Sequence, residues 1–150
     1  MARINYFLLL LMGLAGALPY AGALGGEKPL VLAEDGATAY SIYFAPSAPA
    51  AVGHAARELA RFLEQITGAK FPLVHDGAAP GRLLVVGWNR LAQENVGGEV
   101  RRTSLGSDGF EIHTSGENLY FAGGSPRGTL YAVYYFLEEY LGCRWYSSEF

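Results

Sequence analysis

Residues 82–87, Arg-Leu-Leu-Val-Val-Gly, set the strongest constraint on this chain. Four consecutive apolar side chains bounded by Arg82 and Gly87 suit a strand, and successive strand residues point to opposite faces. Such a strand has no face to offer water, so it belongs at the centre of a sheet covered on both sides. The composition permits that burial: 51% of the 150 residues are hydrophobic and 17% are charged, too apolar for a disordered tail. A formal net charge of -3 leaves no electrostatic footprint for nucleic acid. The single cysteine, Cys143, excludes an intramolecular disulfide and a cysteine-only zinc site, so apolar packing must hold the fold. Beside a very apolar segment, Cys143 reads as a buried, inert thiol.

The first residues read as an address. Arg3 precedes an apolar run over residues 6–18, and Pro19 and the triplet Ala21-Gly22-Ala23 follow. That run is shorter than the roughly 20 residues a membrane-spanning helix needs, and the pattern is that of a secretory signal peptide cut between Ala23 and Leu24. The expected organisation is a signal peptide over residues 1–23, a linker over 24–29, a domain over 30–146 and, over 147–150, the start of a further domain. The expected location is secreted or periplasmic, with no membrane attachment after cleavage.

Within the domain, residues 30–32 and 40–44 read as strands joined by the turn Glu34-Asp35-Gly36. A helix follows, with Ser47 as N-cap and Pro49 in its first turn. Val52, Ala55, Ala56, Leu59, Phe62, Leu63 and Ile66 recur at helical spacing until Gly68 stops it. Residues 71–74 form a strand whose Pro72 argues for an edge. Residues 89–95 suit a short helix, and residues 96–107, without periodicity, a loop. Phe110, Ile112 and Thr114 alternate with polar residues, and Ser115-Gly116-Glu117-Asn118 turns into residues 119–121, a hairpin. A second helix runs over about residues 129–141 to Gly142, and residues 143–146 look extended. The fold class expected is α/β (α+β): a two-layer sandwich of a mixed, mainly antiparallel sheet with two main helices.

On the second helix, Leu130, Val133, Tyr134, Leu137, Tyr140 and Leu141 define one face, and Tyr131, Tyr135 and Phe136 fall outside it. A second apolar face asks for a second partner.

The chemistry-bearing residues do not assemble into a catalytic constellation. Residues 123–128, Gly-Gly-Ser-Pro-Arg-Gly, precede a helix and could hold an anion with Arg127, but they lack the phosphate-loop and dinucleotide spacings, so a tight turn with Arg127 bonded structurally is favoured. His54, His75 and His113 stand apart, without metal-ligand spacing. Glu138 and Glu139 are adjacent and diverge by about 100° on a helix, unlike a facing pair of glycosidase carboxylates. Ser104, Ser107, Ser125, Ser147 and Ser148 lack a nucleophile elbow. Trp88, Trp145 and the helix tyrosines could stack on sugar rings, although packing is the commoner use. No catalytic residue, cofactor ligand or metal ligand is assigned; Arg127, Tyr131, Tyr135, Arg144 and Trp145 are the candidates for interdomain or glycan contact.

The strings Asp108-Gly-Phe-Glu-Ile, Asn118-Leu-Tyr-Phe-Ala-Gly-Gly, Arg127-Gly-Thr-Leu-Tyr-Ala-Val-Tyr and Phe136-Leu-Glu-Glu-Tyr-Leu-Gly-Cys-Arg-Trp-Tyr, with the helix around Arg57-Glu58-Leu59, carry a resemblance. Together they resemble the N-terminal domain of family-67 α-glucuronidases and relatives, whose fold also precedes the catalytic barrel of family-20 β-hexosaminidases. The resemblance implies a non-catalytic accessory domain of a secreted glycoside hydrolase for polysaccharide or xylan breakdown, its cleaving acids supplied by a following (β/α)₈ barrel. A barrel needs on the order of 250 residues, so none fits after residue 146 and the expectation is a truncated chain. The competing readings are a free-standing carbohydrate-binding module, the N-terminal domain of a β-hexosaminidase-like enzyme, and, least supported, an autonomous small hydrolase.

Overall fold

The computed structural model describes residues 3–4, 30–77 and 81–144. Six strands and four helices follow in chain order: β1 (Arg3–Ile4), β2 (Tyr40–Tyr43), α1 (Ala50–Thr67), β3 (Leu73–Val74), β4 (Arg82–Val86), α2 (Arg90–Asn95), α3 (Glu99–Ser104), β5 (Phe110–Ser115), β6 (Asn118–Gly123) and α4 (Pro126–Tyr135). The π-helical turn Phe136–Tyr140 extends α4. They form one sheet in the order β1-β5-β6-β4-β2-β3. The segments expected to be signal peptide and linker, with Ala23, Leu24 and Trp145, lie outside the described residues, apart from Arg3 and Ile4.

β4 lies inside the sheet, as its sequence demands. Leu84 and Val86 join the large core beneath α1 and α4. Leu83 and Val85 join a smaller core with Tyr43, Tyr120 and Ala92 on the other face. A layer of sheet carries a layer of two long helices, and α2 covers part of the opposite face.

The α/β sandwich and its mixed sheet stand, but the strand directions differ from the expectation of a mainly antiparallel sheet. β2 runs parallel to β3 and to β4, β4 parallel to β6, and β1 parallel to β5. Among the strand pairs of the described residues only the β5–β6 hairpin is antiparallel, with Ser115 opposite Asn118 across the turn Gly116-Glu117. The cause is in the connections. The two-residue turn reverses β5 into β6, whereas the crossover through α1 returns β3 parallel to β2.

Three local expectations are corrected. Residues 30–32 form no strand of the sheet; Leu30 and Leu32 are buried in the core, and the Glu34–Ala37 bridge closes a turn with Asp35 and Gly36 at positive φ. Ser47 does not cap α1, whose N-cap is Pro49 without a side-chain hydrogen bond. Residues 96–107 contain α3, which buries no residue and so shows no apolar period. What binds it to the sheet is Arg101, whose Nε and Nη2 donate to Glu111 Oε2 at 2.8 and 2.6 Å.

The face of α4 also needs redrawing. Thr129, Ala132, Val133, Phe136 and Leu137 are its buried residues beside Gly128, an i, i+3, i+4, i+7, i+8 series. Phe136, expected off the packed face, is 0% exposed and meets Phe121 edge-on with centroids 5.1 Å apart. Small residues choose this face: Gly128, Thr129 and Ala132 let the helix approach the sheet, and the tyrosines are displaced to the rim. A Cβ on Gly128 would lie 2.5 Å from the carbonyl oxygen of Gly109.

Leu59→Ala should therefore cost about 2–5 kcal/mol and Phe136→Ala about 3–5 kcal/mol, while Ile66→Ala, at a 41% exposed position, should cost less than either. Gly128→Ala should destabilise, although alanine in a helix ordinarily gains up to about 1 kcal/mol over glycine. Urea denaturation measures all four; a stabilised Gly128→Ala would contradict the close approach.

Candidate functional site

Three parallel strands, β2, β4 and β6, end at one edge of the sheet, and each leads into a helix: residues 44–49 into α1, 87–89 into α2 and 124–125 into α4. In open α/β sheets the crevice outside the carboxyl ends of the strands is where ligands bind. A cleft of about 310 Å³ lies at this edge, between the ends of β2 and β4 and the start of α1. A recess of about 60 Å³ beyond it shares Pro49, Val52 and Trp88 and reaches Arg102, Ser125 and Thr129.

Local chemistry fixes the walls. Gly87, at φ +93°, has no room for a Cβ, which would sit 2.8 Å from Val52 Cγ1, and its N–H donates to Phe121 O at 2.9 Å. Asn89 accepts from the Ala92 N–H at 3.2 Å and donates through Nδ2 to Gly87 O at 3.2 Å, closing the turn that carries Trp88. The Trp88 Nε1 is buried and has no hydrogen-bond partner among the described residues. Tyr43 forms part of the lining from the end of β2. Arg90 and Arg102 are the charged residues of the two linings, which contain no carboxylate. Arg90 Nη1 donates to Glu94 at 2.8 Å.

The earlier candidates lie elsewhere. Arg127 Nε donates to Asp108 Oδ1 at 2.6 Å, fastening α4 to the preceding loop, which is the structural use expected of it. The Ser125 side chain caps α4 by accepting from the N–H groups of Arg127 and Gly128 and donates to Ser107 O. Tyr131 is 42% exposed, whereas Tyr135 lies against Phe110 and Tyr140 and is partly buried against the core. Arg144 donates to the carbonyls of Glu138 and Cys143 at 3.0 Å, binding the end of the π-turn. Burial pushes the half-buried Cys143 thiol upward, keeping it protonated.

The histidines take separate surroundings: His54 is exposed, His75 Nδ1 lies 3.1 Å from Phe44 O, and His113 Nδ1 lies 3.9 Å from Glu111 Oε1. Among the described residues no group of three His, Cys, Asp or Glu side chains could hold a metal ion, and no helix is long and apolar enough to cross a membrane.

The pattern of the glycosyl hydrolase family 67 N-terminus matches residues 32–136. The chain belongs to this family. The match begins just before β2 and ends where α4 passes into its π-turn, so it takes in the cleft and the whole α1–α4 layer. No curated protein gives a significant match.

Sequence reasoning had named Trp88 only as one of several aromatics and had missed Tyr43 and the cleft. The signal was present in Gly87-Trp88-Asn89, placed directly after the most apolar strand, but it becomes legible only once β2, β4 and β6 are known to be parallel.

Burial also pushes the phenols of Tyr40, Tyr120, Tyr134 and Tyr140 upward. The folded protein then keeps protons that the unfolded chain gives up above the ordinary tyrosine value of about 10. Their contribution to stability is intact below that pH and is lost as pH rises beyond it. The urea midpoint should hold up to about pH 9 and fall by about pH 11, and Tyr120→Phe with Tyr140→Phe should flatten the fall. A wild-type midpoint constant across that range would contradict the burial of these phenols.

Proposed function

We propose that this chain acts as a non-catalytic accessory domain of an exported glycoside hydrolase of α-glucuronidase type, working in polysaccharide breakdown. The observation that carries the reading is the family-67 N-terminal match over residues 32–136. The placement of acidic side chains supports it. Glu138 is turned to Arg144, Glu111 is bonded to Arg101, and Asp108 to Arg127, so these three carboxylates serve ion pairs within the domain.

The partner in this reading is a catalytic (β/α)₈ domain, and the outer side of α4 is where it docks. Tyr131 is exposed there, with Leu130 and Tyr134 half-buried beside it. Tyrosine suits such a contact because it adds area at low entropic cost and keeps a polar tip. The sequence around Ala21-Gly22-Ala23 supports export, with the site of action in the periplasm or outside the cell.

The purified chain should not turn over an aryl glucuronide, and it should bind a separately produced family-67 catalytic barrel. Tyr131→Lys should weaken that binding at least tenfold with little loss of stability, whereas Tyr135→Ser should lower the urea midpoint, since Tyr135 packs on Phe110. N-terminal sequencing of exported material should begin at Leu24. Turnover by the chain alone, or binding indifferent to Tyr131→Lys, would overturn the reading.

A further inference from the structure

We propose that the outer edge of β5, opened when β1 is removed on export, pairs antiparallel with β5 of a second copy of this chain, joining two sheets into one. The inference rests on the export reading for the loss of β1 and makes no use of the accessory role.

β5 has β6 on one side and, among the described residues, only β1 on the other. β1 is Arg3–Ile4, set parallel against Glu111 and Ile112, and it belongs to the segment ahead of Ala23 that the export reading removes. Its seat there means that no described element blocks an extended segment at this edge. Sheet edges are ordinarily blunted by short strands, proline, lysine or bulges. The opposite edge has two of these devices, because β3 is only Leu73–Val74 and follows Pro72. β5 has none of them: Phe110–Ser115 holds no proline or lysine, and its register with β6 is unbroken.

The hairpin decides which backbone groups face outward. Ser115 and Asn118 close a two-residue turn; such a closing pair is hydrogen-bonded, and bonded and non-bonded pairs then alternate along the ladder. The Gly124 N–H donating to Gly109 O at 3.0 Å continues the same series at the far end. Glu111, His113 and Ser115 therefore turn their backbone groups to β6, and Phe110, Ile112 and Thr114 turn theirs outward. A two-fold axis through Ile112 sets Ile112 against Ile112 and Phe110 against Thr114, so every outward group of β5 finds a partner. Charge selects that register. It places Glu111 opposite His113 of the second copy, and Arg101 occupies only Glu111 Oε2, leaving Oε1 for the histidine across the interface. Moving the axis to Glu111 would set two carboxylates directly opposite, which is destabilising; moving it to His113 would run Phe110 past the end of the other strand.

The chain beginning at Leu24 supplies the test, since every residue of both cores lies at Leu30 or beyond and loss of β1 takes nothing from them. Sedimentation equilibrium should give a monomer–dimer equilibrium with a Kd between about 10 µM and 1 mM, weak because the contact is small. Hydrogen exchange measured below and above that concentration should slow about threefold or more at the amides of Phe110, Ile112 and Thr114 on dimerisation, and stay unchanged at Glu111, His113 and Ser115, which are already bonded to β6. Thr114→Pro removes an outward N–H and no bond within the sheet, and should weaken the dimer at least tenfold; Tyr131→Lys, on α4, should leave it intact. If Thr114→Pro fails to fold, the exchange pattern of the unaltered chain decides. A chain that stays monomeric at about 2 mM, a dimer indifferent to a folded Thr114→Pro or lost in Tyr131→Lys, or exchange that does not slow at Ile112 and Thr114 would overturn the proposal. None of these results bears on export, which the N-terminal sequence reads separately.

Discussion

The burial of β4 on both faces is the constraint from which the rest of the architecture follows. Leu83, Leu84, Val85 and Val86 are each no more than 4% exposed, and every methylene group among them favours burial by about 0.8 kcal/mol. No arrangement with one wet face satisfies that. The strand must have neighbours on both edges, which β2 and β6 supply, and cover on both faces. α1 and α4 cover one with a broad apolar layer, and α2 covers the other with Ala92 and Leu91.

Covering β4 with helices dictates the strand directions, and the directions create the cleft. β2, β4 and β6 run in the same direction and deliver their carboxyl ends to one edge of the sheet. Packing is tightest there: Gly87 lies against Val52, and Gly128 against Gly109. Beside the Gly87–Val52 contact, at the ends of β2 and β4, the cleft is lined by Trp88 and Tyr43 among others. The opposite end of the same strands is closed instead, by Tyr40 donating to Glu117 O at 3.0 Å and by the Arg82–Glu117 ion pair.

Much of this was legible from the sequence, for identifiable reasons. The central position of β4, the span of α1, the β5–β6 hairpin and the edge position of β3 follow from apolar spacing, Gly68, the Ser115–Asn118 turn and Pro72, all local signals. Strand direction is not local, so the parallel sheet was missed and the cleft with it. α3 was missed because an ion pair rather than an apolar stripe holds it down. Phe136 was misplaced because a helix this rich in aromatics contains overlapping stripes, and the choice between them rests on how closely Gly128 and Ala132 approach the sheet. The family resemblance was legible in residues 108–144, where glycines and aromatics needed for that approach are concentrated.

Native-state hydrogen exchange tests the primacy of β4 most directly. If the doubly covered strand organises the fold, the amides of residues 84–86 should exchange only through global unfolding, with a free energy equal to that from urea denaturation, while those of α3 exchange through local opening. Residues 84–86 exchanging as readily as α3, well below the global value, would contradict the account.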